Sequence, residues 1–387
     1  MPLITATSIH DGEKWMPTGT TIAVTDDGII TDIIDTPTEH TIHYDGVLCA
    51  GFVNAHCHLE LSHMKGVAAE ATGLIPFLKN IPHYRNNYTT EQKQEARHIA
   101  LHNMLQNGVV AVGDIANTDD TKDLRALGTM HFHTFVEALG FADSGAERSM
   151  AYALASYETF AKQSNKDIIL RQSIVPHAPY SVSRSLFRLI SEHTPATIIS
   201  IHNQESEEEN KYYYNKTGLV NDLLHSLKID DSSFMATGKP SLASYLPLLS
   251  PEHSIILVHN TYSNAQDVAF AMSYSGNIHW CLCPNANLYI ENRLPDIDML
   301  MKAGVNLCVG TDSLASNHEL SILAELTTIK KHYPHLSWET LLKWGCYNGA
   351  SALQLTHVAG KIETGKRPGI LHLTDIDSHE PVVKRIA

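Results

Sequence analysis

Apolar positions along the chain follow two patterns. Towards both ends they form short runs broken by turn residues. Ile4 to Ile9, Thr20 to Val24 and Ile29 to Ile34 are separated by Asp11-Gly12 and Asp26-Asp27-Gly28, and Ile370 to Leu373 and Val382-Val383 sit among Gly360, Gly365, Pro368 and Gly369. Runs of this length with Gly, Asp and Pro punctuation predict strands. Neither end is long enough to bury a core alone. Residues 1–50 and 358–387 are therefore expected to pair into one small β domain, a β-sandwich assembled from both termini.

Between the ends, short apolar runs alternate with amphipathic stretches. The runs are Val47 to Val53, Val109 to Val112, His131 to Val136, Ile168 to Val175, Thr197 to Ile201, Ile255 to Val258, Ile278 to Cys283 and Val305 to Val309. The intervening stretches Thr90 to Gln106, Ala146 to Ala161, Ser183 to His193, Asn264 to Ser275 and Leu320 to His332 read as helices. Thr89 with Gln92 makes a capping box at the first of them. Eight strands each followed by a helix predict an α/β fold, a closed (β/α)8 TIM-like barrel over 51–357, with an open doubly wound sheet as the competitor. No GxGxxG or GxxxxGK[ST] loop is present, which argues against the open sheet.

Chemistry-bearing residues cluster where the runs stop. The first ends in His56-Cys57-His58, and alternation along a strand sends both imidazoles one way and Cys57 the other. The fifth ends in His202-Asn203-Gln204-Glu205, the sixth in His259 and the eighth in Thr311-Asp312-Ser313. Taken singly, each has a plain explanation: a histidine at a strand end is commonly a hydrogen-bonded core residue, and Asp312 could cap a helix. If the runs close into a barrel, all of them converge on its carboxyl face, where barrel enzymes keep their active sites. Three imidazoles and a carboxylate around an open position suit one divalent ion, zinc or iron, that activates a water.

Composition narrows the partners. The 387 residues carry a formal net charge of −14, which disfavours phosphate backbones and anionic membranes, so neither nucleic acid nor membrane is an expected partner. No apolar run reaches the roughly 18 residues of a membrane span, and the first residues lack a secretory signal's basic start and apolar core, which predicts a cytoplasmic protein. The six cysteines lie mostly in apolar runs without CxxC spacing, as expected of reduced, buried thiols.

The set His56-x-His58, His202, His259 and Asp312, in this order, resembles the amidohydrolase superfamily and its mononuclear deaminase and chlorohydrolase branch. Supporting phrases are Pro176-His177-Ala178-Pro179-Tyr180-Ser181, His202-x-x-Glu205, Cys283-Pro284-Asn285-Ala286-Asn287 and Gly310-Thr311-Asp312-Ser313. The stretch Asn54 to Ser62 is similar to a subgroup of adenosylhomocysteine- and aminodeoxyfutalosine-deaminase-like members, from which Cys57 departs. Binuclear members carry a lysine at the end of the fourth strand. Here that strand ends Val175-Pro176-His177, so the resemblance implies one ion.

Carried over residue by residue, the resemblance implies that His56, His58, His202 and Asp312 ligate the ion, zinc first and ferrous iron second. His259 would hydrogen-bond the reactive water, Asp312 would take its proton, and Glu205 would shuttle a proton to the ring nitrogen and the leaving group. Substrate contacts are expected from His177, from Glu60, from Phe77 on a lid helix over Thr72 to Ile81, and from Arg148, which suits a carboxylate or simply caps a helix. Glu207, Glu208 and Glu209 read as a solvated acidic helix start, and Asn285 and Asn287 as turn residues.

The implied function is hydrolytic deamination of an amino-substituted N-heterocycle, an aminopurine nucleoside-like small molecule, with release of ammonia, by a homo-oligomer. The alternatives are a chloro- or alkylamino-ring hydrolase or cyclic amide hydrolase using the same site, and, remotely, a non-catalytic scaffold.

Overall fold

The computed structural model describes residues 2–193, 196–232, 234–378 and 380–387. Three sheets organise them. The first contains β1 (Leu3–His10), β2 (Thr21–Val24), β3 (Ile30–Ile34), β4 (Thr41–Ala50), β13 (Ile370–Thr374) and β14 (Val382–Arg385), in the order β14-β13-β4-β1-β2-β3. The two ends of the chain meet where β4 and β13 run antiparallel, Ala50 opposite Ile370 and Val47 opposite Leu373. The strands expected near both termini are thus present and paired, and they form one six-stranded sheet.

The other two sheets are parallel and four-stranded. One is β5 (Phe52–Cys57), β6 (Val109–Ala116), β7 (His131–Ala138) and β8 (Leu170–Pro176); the second is β9 (Ile198–Asn203), β10 (Ser254–His259), β11 (Ile278–Leu282) and β12 (Asn306–Val309). Hydrogen bonds link the sheets at both margins. His202 N–H donates to His177 O at 3.1 Å, and Thr311 and Asp312 N–H groups donate to His56 O at 2.9 and 3.1 Å. The result is a mixed α/β fold with parallel sheets, and its strands are buried almost throughout. Continuous apolar runs instead of alternation are what two covered faces require.

One boundary differs from the sequence reading. The run Val47 to Val53 is not one strand: it is the end of β4 and the start of β5, split at Gly51. Gly51 N–H donates to Gly369 O at 3.0 Å, and a Cβ there would lie 2.4 Å from Val110 Cγ1 and 2.6 Å from Pro368 O. Only glycine lets the chain pass this closely from the terminal sheet into β5. Hydrophobicity alone hides the break because both strands are buried. The helices fall close to expectation, at Thr90–Gln106, Ala146–Ala161, Arg184–His193, Ala265–Tyr274 and Ile322–His332, and the Thr89/Gln92 capping box is formed.

A single apolar cluster runs through the terminal sheet, the parallel strands and the helices around them. Each fully buried Leu, Ile or Val contributes roughly 1.5–3 kcal/mol. A second cluster, including Met64, Leu74, Phe77, Tyr212, Leu223 and Ile290, roofs the carboxyl ends of the strands. All six cysteines are buried and free. Among the described residues no helix is long and apolar enough to cross a membrane.

The core also holds histidines that burial keeps neutral. His133 in β7 is one, its pKa pushed down to about 3 by desolvation, with Nε2 3.0 Å from Ser173 Oγ. A histidine with a depressed folded-state pKa costs stability as pH falls below the unfolded value, because only the unfolded chain takes up the proton. Between pH 7 and 5 this one group should remove about 2 kcal/mol of stability. Urea titrations should show His133→Asn losing that much less than the parent over the same interval. Parallel pH profiles would contradict the assignment.

Candidate metal centre and its cavity

The turns that end the strands aim the site's side chains. Gln204, His259, Asn260 and Asp312 follow or end β9, β10 and β12, and all have positive φ (+45°, +74°, +60° and +55°). Non-glycine residues in this region cost roughly 1–3 kcal/mol each and persist only where surroundings fix them. Those surroundings are visible. Asn203 Nδ2 donates to Asn260 Oδ1 at 2.9 Å, and Asn260 Nδ2 donates to Leu257 O at 2.9 Å. At the eighth strand Asn54 Nδ2 donates to Thr311 Oγ1 at 2.8 Å, and Asn317 Nδ2 donates to Thr311 O at 2.9 Å.

These turns bring together the residues expected from the run ends. His56, His202, His259 and Asp312 each offer one ligand atom within 4.8 Å of the others, and all four are buried. His58 borders the same cluster, its Nε2 3.3 Å from His202 Nε2 and 3.4 Å from Asp312 Oδ1. The donor chemistry suits a cation. His202 Nδ1 lies 2.7 Å from the carbonyl of His177, which only accepts, so that nitrogen carries the proton and Nε2 presents its lone pair to the cluster. His56 Nε2 and His259 Nε2 are buried without a hydrogen-bond partner. Unpartnered buried nitrogens facing a carboxylate are what a divalent ion would satisfy.

A second group, His58, Glu137 and His202, also lies within reach of a common point. Glu137 Oε1 is 3.5 Å from His202 Nδ1, but that nitrogen is already engaged by His177.

Electrostatics separates the two nearby carboxyls. Burial pushes Asp312 up, but the surrounding imidazoles, His56 first, then His58 and His259, outweigh it and hold the group well below the usual carboxylate range. Burial raises Glu205 to about 8, against a smaller lowering by His202. Burial likewise lowers His56 to about 4, and lowers His58, His202 and His259. The surroundings thus favour the ionised form of Asp312 and the protonated form of Glu205, whose Oε1 lies 3.7 Å from His259 Nε2.

A cavity of about 580 Å³ opens over this cluster. His177, Glu60, Phe77 and Arg148 all line it. His177 follows β8 and its Nδ1 pairs with Ser181 Oγ at 2.7 Å. Glu60 is buried, with Oε2 accepting the Asn117 N–H at 2.9 Å and Oε1 3.5 Å from Arg85. Phe77 sits on the helix Leu74–Arg85, which begins two residues later and ends four residues later than the expected lid. Arg148 lies in the first turn of the helix Ala146–Ala161 and is exposed.

Other residues at the site were not anticipated. Glu137, 4% exposed, lines the same cavity and accepts from Asn117 Nδ2 at 2.9 Å. Asn287, read as a turn residue, has its Oδ1 2.8 Å from His259 Nδ1 and fixes that ring. Ser316 Oγ donates to Asp312 Oδ2 at 2.5 Å. Glu209 corrects the reading of an acidic solvated helix start. Glu207 is exposed and Glu208 half-buried, but Glu209 is 1% exposed, because its side chain turns inward to the backbone of Gln204.

Comparison with known proteins agrees with this geometry. The chain is 28% identical over 333 residues to an adenosine deaminase of Helicobacter pylori, covering 84% of this chain and 78% of that protein. Among solved structures it superimposes with a TM-score of 0.82 on Helicobacter pylori aminofutalosine deaminase in complex with methylthio-coformycin, at 22% identity and covering 100% of both chains. An adenosine deaminase from Xanthomonas campestris with bound zinc gives a TM-score of 0.73 at 22% identity, over 96% of this chain and 84% of that one. Residues 47–383 match the profile of the Amidohydrolase family, a span that takes in both parallel sheets and every residue of the cluster, and the chain belongs to that family.

Proposed function

We propose that the protein is a metal-dependent hydrolytic deaminase that removes the amino group of an amino-substituted N-heterocycle, an aminopurine nucleoside-like compound of the adenosine or aminodeoxyfutalosine type. The observation that carries this reading is the buried cluster of His56, His202, His259 and Asp312 beneath the cavity, with Glu205 Oε1 3.7 Å from His259 Nε2; burial favours the protonated form of Glu205 and the neighbouring imidazoles favour the ionised form of Asp312. Opposed pKa values in one pocket are the mark of acid and base in the same reaction. The names of the relatives support the same chemistry.

In this reading His56, His58, His202 and Asp312 hold one divalent ion, zinc by the precedent of the Xanthomonas protein. Such an ion lowers the pKa of a water from about 15.7 towards 7. Asp312 would accept the proton of the attacking water as the water oxygen adds to the ring carbon bearing the amino group. Glu205 gives its proton to the neighbouring ring nitrogen, and His259, held by Asn287, orients the water. The hydroxyl proton would then pass through Glu205 to the leaving nitrogen, the C–N bond would break with release of ammonia and formation of the ring carbonyl, and the proton on Asp312 would return to Glu205 to reset the pair. His177, Glu60, Phe77 and Arg148 contact the substrate from the cavity wall.

The architecture belongs to the same proposal. The parallel strands close into a (β/α)8 barrel over 51–357, supported by the hydrogen bonds at both sheet margins, and residues 1–50 with 358–387 curl into a small β-sandwich domain, supported by the β4–β13 pairing. The proposed protein is a cytoplasmic homo-oligomer with a small-molecule substrate and no nucleic-acid or membrane partner.

Ammonia release by the metal-loaded protein tests this across adenosine-type nucleosides, aminodeoxyfutalosine, guanine, cytosine and triazines, with bound metal quantified alongside. Ammonia from an aminopurine nucleoside with about one ion per chain is expected. Full metal with no ammonia from any compound would overturn it in favour of ring dechlorination or amide hydrolysis.

A further inference from the structure

Gln204, the residue before Glu205, is fixed at every polar atom. Its N–H donates to Glu209 Oε1 at 3.0 Å, and its carbonyl accepts from Tyr262 N–H at 2.9 Å. Its side-chain Nε2 donates to Asp267 Oδ2 at 3.0 Å and Asn210 Oδ1 at 3.3 Å, and its Oε1 accepts from Ser263 Oγ at 2.6 Å. The same residue carries the left-handed backbone, φ +45°, that turns the chain from β9 into the site. Strain at such a turn survives only when the surroundings over-determine it.

Glu209 is the member of this set whose placement breaks a local rule. Ser206 caps the helix Glu207–Asn215, so Ser206-x-x-Glu209 has the spacing of a capping box. In that motif the glutamate would return to the backbone N–H of Ser206. Here it reaches past the cap to Gln204, while Ser206 Oγ accepts from Glu208 N–H at 3.2 Å. Ser241 Oγ, from a separate segment, donates to the same Glu209 oxygen. A capping carboxylate diverted from its own helix to the turn bearing the proposed proton shuttle marks a site where local preference yields to function.

We propose that Glu209 is a positioning residue for Glu205, holding the Gln204 turn so that the Glu205 carboxyl stays registered against the cluster. This rests on the deaminase reading, since it takes Glu205 as the proton shuttle. It differs from a helix-capping role in what it predicts. Loss of a cap lowers stability, whereas loss of the clamp lets Glu205 drift, and misplacement by about 1 Å can cost about 10²-fold in rate.

The test compares Glu209→Ala with Glu209→Gln in the metal-loaded protein. Glu209→Ala should lower kcat about 10²-fold while KM stays within about threefold and bound metal is unchanged. Glu209→Gln keeps a carbonyl oxygen for the Gln204 N–H and should restore most of the rate. A folded, metal-replete Glu209→Ala with kcat near the parent's would overturn the proposal, as would equal losses in both variants. If Glu209→Ala is insoluble, Glu209→Asp reads the same clamp, because it keeps the carboxyl but draws it back by one methylene from the Gln204 N–H; an unchanged kcat there overturns it too. Amide hydrogen exchange at residues 203–206 separates this inference from the reaction assignment. A parent protein that deaminates nothing would sink the deaminase reading, whereas unaltered exchange protection in Glu209→Ala would sink the clamp.

Discussion

In His202→Ala, bound metal and turnover are expected to disappear together. His202 is the best-anchored imidazole of the cluster, with its proton fixed on Nδ1 by the His177 carbonyl and its Nε2 lone pair facing His58 and the centre. Truncation removes one of the clustered donors, and Glu137 approaches only the Nδ1 side. Without the ion, the nucleophile is ordinary water, and turnover should fall by about 10⁴-fold or more. The excised ring borders the cavity, so the fold should survive, and thermal melting checks this while elemental analysis measures the metal. Activity persisting in a metal-free variant would refute a metal-dependent mechanism.

Glu205→Gln should separate what His202→Ala joins. The amide is nearly isosteric and the residue is not among the proposed ligands, so about one ion per chain should remain bound. What disappears is the transferable proton, and general acid–base contributions of this type are worth about 10²–10⁴-fold. Because burial raises the parent carboxyl to about 8 and so favours its protonated form at neutral pH, neutralisation by the substitution itself changes little. Single-turnover ammonia release with metal content measured on the same samples gives the result. A parent-like rate in the fully loaded variant would take Glu205 out of the reaction.

The parallel strands and their helices were legible in the sequence because buried strands write continuous apolar runs and the helices between them carry recognisable starts, such as Thr89 with Gln92. The convergence of His56, His202, His259 and Asp312 was legible because His202 and His259 directly follow the last apolar residue of their runs and His56 and Asp312 come three residues after theirs. Glu137 directly follows Val136 at the end of the third strand, but a single carboxylate there has no partner in the sequence to give it a role. Asn287 and Glu209 were out of reach for a different reason. Each acts through a bond to a residue from another segment, His259 or Gln204, and such pairings are set by packing. Gly51 was hidden because the strands on either side of it are equally apolar.

The pairing of β4 with β13 has a consequence for how the molecule comes into being. A ribosome delivers Thr41–Ala50 early and its partner Ile370–Thr374 only after both parallel sheets have emerged. Throughout that interval one margin of the strand beside β1 lacks its neighbour, and a bare strand margin is a template for other chains. Contacts this distant in sequence also slow folding, since the intervening chain must be ordered before they can form. Release from the ribosome before Ile370 would therefore yield a chain carrying the whole histidine cluster but prone to associate through β4, so the integrity of that cluster depends on strands synthesised long after its own residues.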